Sequence, residues 1–194
     1  MKNFVFFCAA ALLAAVGPAA SGEEAKPLAV QWEGYRGGKA AAAPRVSEVK
    51  GPEGAPAVRI EAVAEGNYQG ALGKLAEPVD FGKFDALEFS VRHNLGGKNG
   101  KCGMVLLISG KAGRSHCSFV ASAGNWSKVV IPLDATGFTA QRGNSVNFTG
   151  IARIRIYPYA NLNEPGKFLE FADFRLLPRQ TDAAALKAMD DTHR

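Results

Sequence analysis

The chain has 194 residues, of which 47% are hydrophobic and 21% are charged, a composition that predicts one globular domain with its own core. Its 23 basic and 18 acidic residues give a net charge of +5. The basic residues are scattered, with no run of five or six, so the pattern gives little support to nucleic-acid binding.

The first residues have the features of a secretory signal. Lys2 precedes an apolar run at 4–16, and small residues follow at 17–22. We interpret residues 1–22 as a signal peptide, since the apolar run is short for a membrane span. The mature protein is then expected to be secreted or periplasmic, with no membrane association after cleavage. Residues 23–180 form the predicted domain, and 181–194 form an Ala-rich tail that would suit a short helix.

Short strand-like segments, separated by Gly, Pro and Asn, follow one another through this domain. Strands are predicted at 29–35, 45–50, 57–64, 68–75, 84–94, 101–109, 114–121, 126–133, 150–161 and 167–177. Many of them alternate apolar and polar residues, which is typical of a strand with one buried face. The segment 101–109 is apolar on both faces and predicts a central strand covered on both sides. The pattern predicts an all-β fold, an antiparallel two-sheet β-sandwich of the jelly-roll type.

The segment 150–161, GIARIRIYPYAN, alternates most regularly. One side is apolar and consists of Ala152, Ile154, Ile156 and Pro158. The other side, which we call the Arg/Tyr row, consists of Arg153, Arg155, Tyr157 and Tyr159. Outward-facing Arg92 and His116 on other strands are candidates to join this row as ligand-binding residues. Aromatic rings suit the apolar face of a sugar, and arginines suit hydroxyls or carboxylates.

An ordinary solvated sheet face is the alternative reading of the same residues. Cross-strand pairs between arginine and glutamate, or arginine and tyrosine, stabilise such faces without any ligand. The Arg/Tyr row therefore leaves open a structural or protein-interaction domain of the cell envelope as well as a binding site.

Two cysteines of the predicted domain, Cys102 and Cys117, lie on neighbouring strands of a predicted hairpin that turns at 110–113. This register sets Cys102 opposite Ala121 and not opposite Cys117, which argues against a disulfide. We predict two buried free thiols, and the absence of a CxxC spacing argues against metal binding by this pair.

Enzyme signatures are scarce, since the chain has no GxSxG, HExxH or phosphate-loop motif. A jelly-roll polysaccharide lyase would use His116 as base, Tyr157 as acid and Arg153 as carboxylate neutraliser, on residue types alone. We predict that the protein is not an enzyme and keep the lyase as a lower alternative.

Four blocks in order, FGKFDALEFSVR, NWSKVVIPL, FTGIARIRIYP and KFLEFADFRL, resemble the galactose-binding-like β-sandwich of non-catalytic carbohydrate-binding modules and of the complex I intermediate-associated protein family. The resemblance implies a carbohydrate ligand, and a protein partner is the alternative. Many such modules carry paired acids in the closing strand that help to hold a structural calcium. Here the matching positions are Ala172 and Asp173, so the implied calcium would need Glu33 as a second ligand. No other cofactor is predicted.

Overall fold

The computed structural model describes most of the predicted domain. The described residues are 24–37, 42–65, 69–96, 98–111, 113–140, 145–159, 162 and 164–179. The predicted signal peptide and C-terminal tail lie outside them. None of the described segments forms a helix with the length and hydropathy that a membrane crossing requires.

Within the described residues, twelve strands and three short 3₁₀ turns make up the regular structure. The strands are β1 (Lys26–Pro27), β2 (Val30–Tyr35), β3 (Arg45–Lys50), β4 (Pro56–Glu61), β5 (Gly70–Val79), β6 (Phe84–His93), β7 (Lys101–Gly110), β8 (Gly113–Ser122), β9 (Ser127–Pro132), β10 (Thr139–Ala140), β11 (Ile151–Pro158) and β12 (Phe168–Pro178). The 3₁₀ turns span Pro52–Gly54, Phe81–Lys83 and Lys98–Gly100.

The strands pair into two sheets. Sheet A has the order β3-β4-β12-β6-β9, with β1 added alongside β12, and sheet B has the order β10-β8-β7-β11-β5-β2. All the pairings are antiparallel. The predicted all-β, two-sheet antiparallel sandwich is confirmed. We call the face of each sheet that points away from the other sheet its outer face.

The core lies between the sheets and contains eight side chains that alternation in the sequence assigns to the inward side of their strands. These are Leu87, Phe89, Val91, Phe119, Val129, Ile131, Ile154 and Ile156. Aromatic contacts join the two layers: the ring of Trp32 in sheet B stacks on Phe171 at 5.4 Å, and Phe89 in sheet A meets Phe119 at 5.5 Å. Burial of each large apolar side chain contributes roughly 1.5–3 kcal/mol.

Two β-bulges change the alternation that the sequence pattern predicted. In β11 the register shifts between Ile151 and Arg153, so Ile151 is fully buried and Ala152 only partly. The prediction that Ala152 is the inward residue is wrong because one extra residue enters the strand there. In β12 a shift between Ala172 and Arg175 includes Asp173, whose φ is 56°, and brings Phe171 and Phe174 into the same core.

The cysteine register follows the predicted hairpin. Cys102 pairs with Ala121 and Cys117 with Leu106 across β7 and β8. Both cysteines are buried and free, as predicted.

Candidate functional site

The Arg/Tyr row lies on the outer face of sheet B. Strand β11 runs between β7 and β5, and its side chains Ile154 and Ile156 are fully buried. Because alternate side chains of a strand point to the same side, the four members of the row project outward. Arg155 and Tyr157 are half-buried, whereas Tyr159 is 65% exposed.

Tyr159 forms a flat aromatic platform at one end of the row. Its backbone N–H donates to the carbonyl of Gly103 on β7 at 2.8 Å. Its ring lies over Gly103, where an added methyl group would come within 3.0 Å of Cδ2. The phenol oxygen meets the hydroxyl of Ser118 on β8 at 3.0 Å. The ring therefore crosses β7 with one side against the sheet and the other side in solvent.

Arg155 is held by two aromatic rings. Its Cζ lies 4.6 Å from the ring centroid of Tyr35 and 5.5 Å from that of Tyr157. Its Nε is buried and has no hydrogen-bond partner among the residues that the structure describes. The sequence pattern does not predict this role of Tyr35, because its proximity to Arg155 depends on β5 and then β2 being added beside β11. No local sequence signal carries that information.

Apolar side chains of β7 fill the space between Arg155 and β8. Val105 and Leu107 point to the outer face, yet only 3% and 4% of their surface is exposed. Leu107 pairs with Arg155 on one side and with His116 on the other. His116 thus shares the face with the Arg/Tyr row, about 10 Å from β11 by two strand spacings. Its Nδ1 is buried, and no described residue forms a hydrogen bond with it.

Arg92 does not join this face. It lies on β6 in sheet A, where its Nε donates to Glu170 and its guanidinium sits 5.0 Å from the Trp126 ring. The two sheets present their outer faces in opposite directions, so the structure separates Arg92 from the five other candidate ligand-binding residues. Alternation assigned it correctly to an outer face but carried no information on which sheet contains β6.

The outer face of sheet A is a ladder of ion pairs. The carboxylate of Glu170 is fully buried between Arg59, at 2.6 Å, and Arg92. Glu88 bonds Arg175 and lies 3.4 Å from Lys128, and Arg45 pairs with Glu61 at 2.8 Å. On sheet B, by contrast, Arg153 and Arg155 form no ion pair with any residue that the structure describes. The two faces therefore differ in how far their cations are neutralised.

The two residues of the implied calcium site lie apart. Glu33 is on β2 at the outer face of sheet B and pairs with Lys74 at 2.8 Å. Asp173 is on β12 and lines a cavity of about 620 Å³ on the outer face of sheet A. One ion cannot contact both, and no described group of three or more His, Cys, Asp or Glu residues is arranged to hold a metal. Glu33 and Asp173 therefore cannot form the implied calcium site together. Calcium binding itself stays a prediction.

Cys117 follows His116 in sequence but faces the core. Burial raises the pKa of its thiol to about 12, although the backbone of Leu106 offsets part of that rise. The thiol is therefore neutral at ordinary pH, and it cannot act with His116 because neighbouring strand residues point to opposite faces.

Comparison with known proteins identifies the fold. No family model and no curated protein matches the chain. Among solved structures, the family 11 carbohydrate-binding module of the cellulosomal cellulase Lic26A-Cel5E of Clostridium thermocellum has a TM-score of 0.59 at 17% identity, over 82% of this chain and 98% of that one.

Two further structures agree. The Clostridium thermocellum family 11 module in complex with a β-1,3-1,4-mixed-linked tetrasaccharide has a TM-score of 0.56 at 17% identity, over 78% of this chain and 91% of that one. A family 30 carbohydrate-binding module has a TM-score of 0.51 at 14% identity, over 79% and 95%. The chain therefore has the galactose-binding-like β-sandwich fold of carbohydrate-binding modules.

Proposed function

We propose that this protein binds a poly- or oligosaccharide without catalysing a reaction, and that the ligand lies on the outer face of sheet B. The observation that carries the proposal is the platform of Tyr159. A large ring that is 65% exposed, seated on a glycine and anchored by its hydroxyl, presents a flat apolar surface of fixed orientation. Such a surface matches the C–H side of a sugar ring.

The polar atoms around the platform support the same function. Buried polar atoms without hydrogen-bond partners are rare in folded proteins, and two of them, Arg155 Nε and His116 Nδ1, lie on this face. Between them Val105 and Leu107 form an apolar floor. Ligand pockets commonly combine an apolar lining with a few convergent polar groups. Sugar hydroxyls both donate and accept hydrogen bonds, so they suit a face that carries a half-buried guanidinium and a half-buried imidazole.

The shared fold supports glycan binding in general but not a particular ligand. The family 11 module was solved with a tetrasaccharide bound, so this sandwich architecture is compatible with glycan binding. Fold alone does not assign a ligand, so the proposal depends on the residues of the outer face of sheet B, Tyr159 above all.

A protein-interaction domain is the second candidate. Val120 on β8 is 62% exposed and follows Ser118, the hydrogen-bond partner of Tyr159, on the same face. Val120 and Tyr159 therefore form an exposed apolar patch at this end of the outer face of sheet B. A protein partner would use the same patch. Co-purification of a partner, with no glycan bound, would favour this candidate.

The test is glycan-array screening followed by calorimetry on Tyr159→Ala. We expect the substitution to weaken glycan binding about tenfold, the loss of one stacking contact. Trp126→Ala is the matched control, since it removes a ring from the outer face of sheet A and should leave affinity unchanged. Equal affinities of wild type and Tyr159→Ala, or no glycan bound at all, would contradict the proposal.

We further propose that the protein acts outside the cytoplasm, on the basis of the signal peptide predicted at 1–22. Expression of the full chain and N-terminal sequencing of the exported protein would test this. A mature terminus near residue 23 is the expected result, and retention of Met1 in the cytoplasm would oppose it.

A further inference from the structure

The geometry points to an anionic glycan as the ligand: an oligosaccharide whose sugar ring stacks on Tyr159 and whose acidic group lies against Arg155 and Arg153. The inference rests on the proposed glycan-binding function and adds the charge class of the ligand. It is carried by the unbalanced charge of the outer face of sheet B.

Basic side chains dominate that face. Register and alternation assign to it five cations, which are Lys74, Lys101, Arg114, Arg153 and Arg155. The same strands carry two carboxylates: Glu33, which Lys74 already pairs with at 2.8 Å, and Glu77, which lies beyond Lys74 near the end of β5. The outer face of sheet A has as many cations, but glutamates pair with them. Cations without a carboxylate partner among the described residues are therefore concentrated on the outer face of sheet B.

The cations on sheet B are also placed close to one another. Arg153 is directly opposite Lys74 on β5, and on the other side Ser109 separates it from Arg114. Like charges opposite each other destabilise a sheet. Glu33 offsets part of this repulsion at Lys74, and an anion bound near Arg153 would relieve the rest, so the arrangement favours an acidic ligand.

Arg155 is preorganised to bind an acidic group. The rings of Tyr35 and Tyr157 restrict its guanidinium, so little side-chain entropy remains to be lost on binding. A guanidinium matches the planar fork of a carboxylate and also bonds sulfate oxygens. The apolar neighbours Val105 and Leu107 lower the local dielectric and strengthen the interaction. Four strand residues, about 13 Å, separate Arg155 from Tyr159, so the acidic group and the stacked ring belong to different parts of an oligosaccharide.

The experiment compares polymers that differ only in charge. Binding to polygalacturonate is measured beside the same polymer after chemical reduction of its carboxylates to primary alcohols. A sulfated galactan tests sulfate as the acidic group. Poly-glutamate supplies carboxylates without sugar rings, and the neutral mixed-linked β-glucan tetrasaccharide supplies rings without charge.

Two variants localise the effect. Arg155→Gln removes one cation from the Arg/Tyr row, and Lys128→Gln removes one cation from the outer face of sheet A, where its side chain is 60% exposed. We expect Arg155→Gln to weaken binding of the acidic polymer about tenfold or more, and Lys128→Gln to leave it within about twofold. Thermal melting of both variants shows that each is folded.

The outcomes separate this inference from the proposed function. The inference is supported if the protein binds polygalacturonate and loses affinity when the carboxylates are reduced, or binds the sulfated galactan and loses affinity when the sulfates are removed. In either case added salt should weaken binding, and the polymer that binds identifies the acidic group. Preference for the reduced polymer or the neutral tetrasaccharide, with no effect of Arg155→Gln, overturns the inference and leaves the proposed function in place. Equal binding of poly-glutamate also overturns it, because no sugar ring is then recognised. Failure of every glycan, charged or neutral, overturns the proposed function itself.

Discussion

Gly103 supports the aromatic platform by the absence of a side chain. Its Cα lies under the Tyr159 ring, and the nearest ring atom would be 3.0 Å from an added methyl carbon. Glycine weakens a strand interior, because it loses more backbone freedom on folding than other residues and has no side chain to pack. Its presence here is explained by the ring that covers it.

Gly103→Ala should therefore separate binding from stability. The methyl carbon would lie 3.0 Å from Cδ2 of the ring and would push the ring outward by a few tenths of an ångström, so we expect glycan affinity to fall. Stability should stay the same or rise by about 0.5–1 kcal/mol, because alanine restricts the unfolded chain. Calorimetric titration and thermal melting measure the two quantities. Unchanged affinity would show that the position of the ring does not matter.

Cys117 illustrates how burial controls a single group. With its pKa raised to about 12 by burial, the thiol stays protonated and also lies out of reach of reagents. We expect iodoacetamide at pH 8 to leave Cys117 unmodified in the folded protein and to alkylate it rapidly in denaturant, as peptide mass mapping would show. Rapid alkylation under native conditions would contradict the placement of this side chain.

At the scale of elements, β12 organises sheet A. It is the last described strand, yet it lies between β4 and β6, and its bulge at Asp173 brings both Phe171 and Phe174 to the core. On its other face Glu170 has no exposed surface and joins Arg59 of β4 to Arg92 of β6. The salt bridges therefore cross three neighbouring strands.

Glu170→Gln leaves both arginines without their shared carboxylate. Because a broken buried pair costs about 3–5 kcal/mol, and both arginine side chains keep about a third of their surface in water, we expect a loss of about 2–4 kcal/mol. Glu61→Gln is the matched control at the exposed pair with Arg45, and its cost should stay under about 1 kcal/mol. Urea unfolding measures both. Equal costs would show that burial of Glu170 adds nothing.

The bulge in β11 decides which residue reaches the core. Ile151 and Ile154 are both fully buried, whereas Ala152 is not. We expect Ile151→Ala and Ile154→Ala each to cost about 2–5 kcal/mol in unfolding free energy. Ala152→Ser should cost under about 0.5 kcal/mol, the usual range for a position away from the core. A larger loss of unfolding free energy at Ala152 than at Ile151 would contradict the bulge and favour strict alternation along β11.

At the scale of the whole molecule, the described residues form one sandwich whose layers are joined by aromatic contacts and by His93. This buried histidine of sheet A contacts the carbonyl of Ala121 in sheet B at 3.0 Å through Nε2 and accepts the N–H of Leu95 at Nδ1. No disulfide links the described residues. Packing between the sheets, and not a covalent link, therefore maintains the fold.

We expect cooperative unfolding that reducing agents do not change. Trp32 reports on the inter-sheet core and Trp126 on the outer face of sheet A, so fluorescence and far-ultraviolet circular dichroism should give the same midpoint. Dithiothreitol should leave the melting temperature unchanged. Two separate transitions, or a lower midpoint in reductant, would show that the layers unfold independently or that a disulfide contributes.

Features that depend on neighbouring residues along one strand can be predicted from the amino-acid sequence. Period-two alternation identified the buried residues Phe89, Val129 and Ile156 and the outward residues Arg155 and Tyr159, because side chains on a strand must alternate between two faces. Hairpin register set Cys102 opposite Ala121 for the same local reason. Alternation failed at Ala152, since no residue in that segment marks the extra position of a bulge.

The order of strands in the folded protein determines which outward-facing residues lie close together. His116 and Arg92 are both outward-facing polar residues of alternating segments, and the sequence pattern does not distinguish them. The order of strands places His116 on the face of the Arg/Tyr row and Arg92 on the outer face of the other sheet. The same order brings Tyr35 to Arg155 and keeps Glu33 away from Asp173. Strand order depends on how the two sheets together bury the core. That is a property of the whole chain, which the alternation within a strand does not encode.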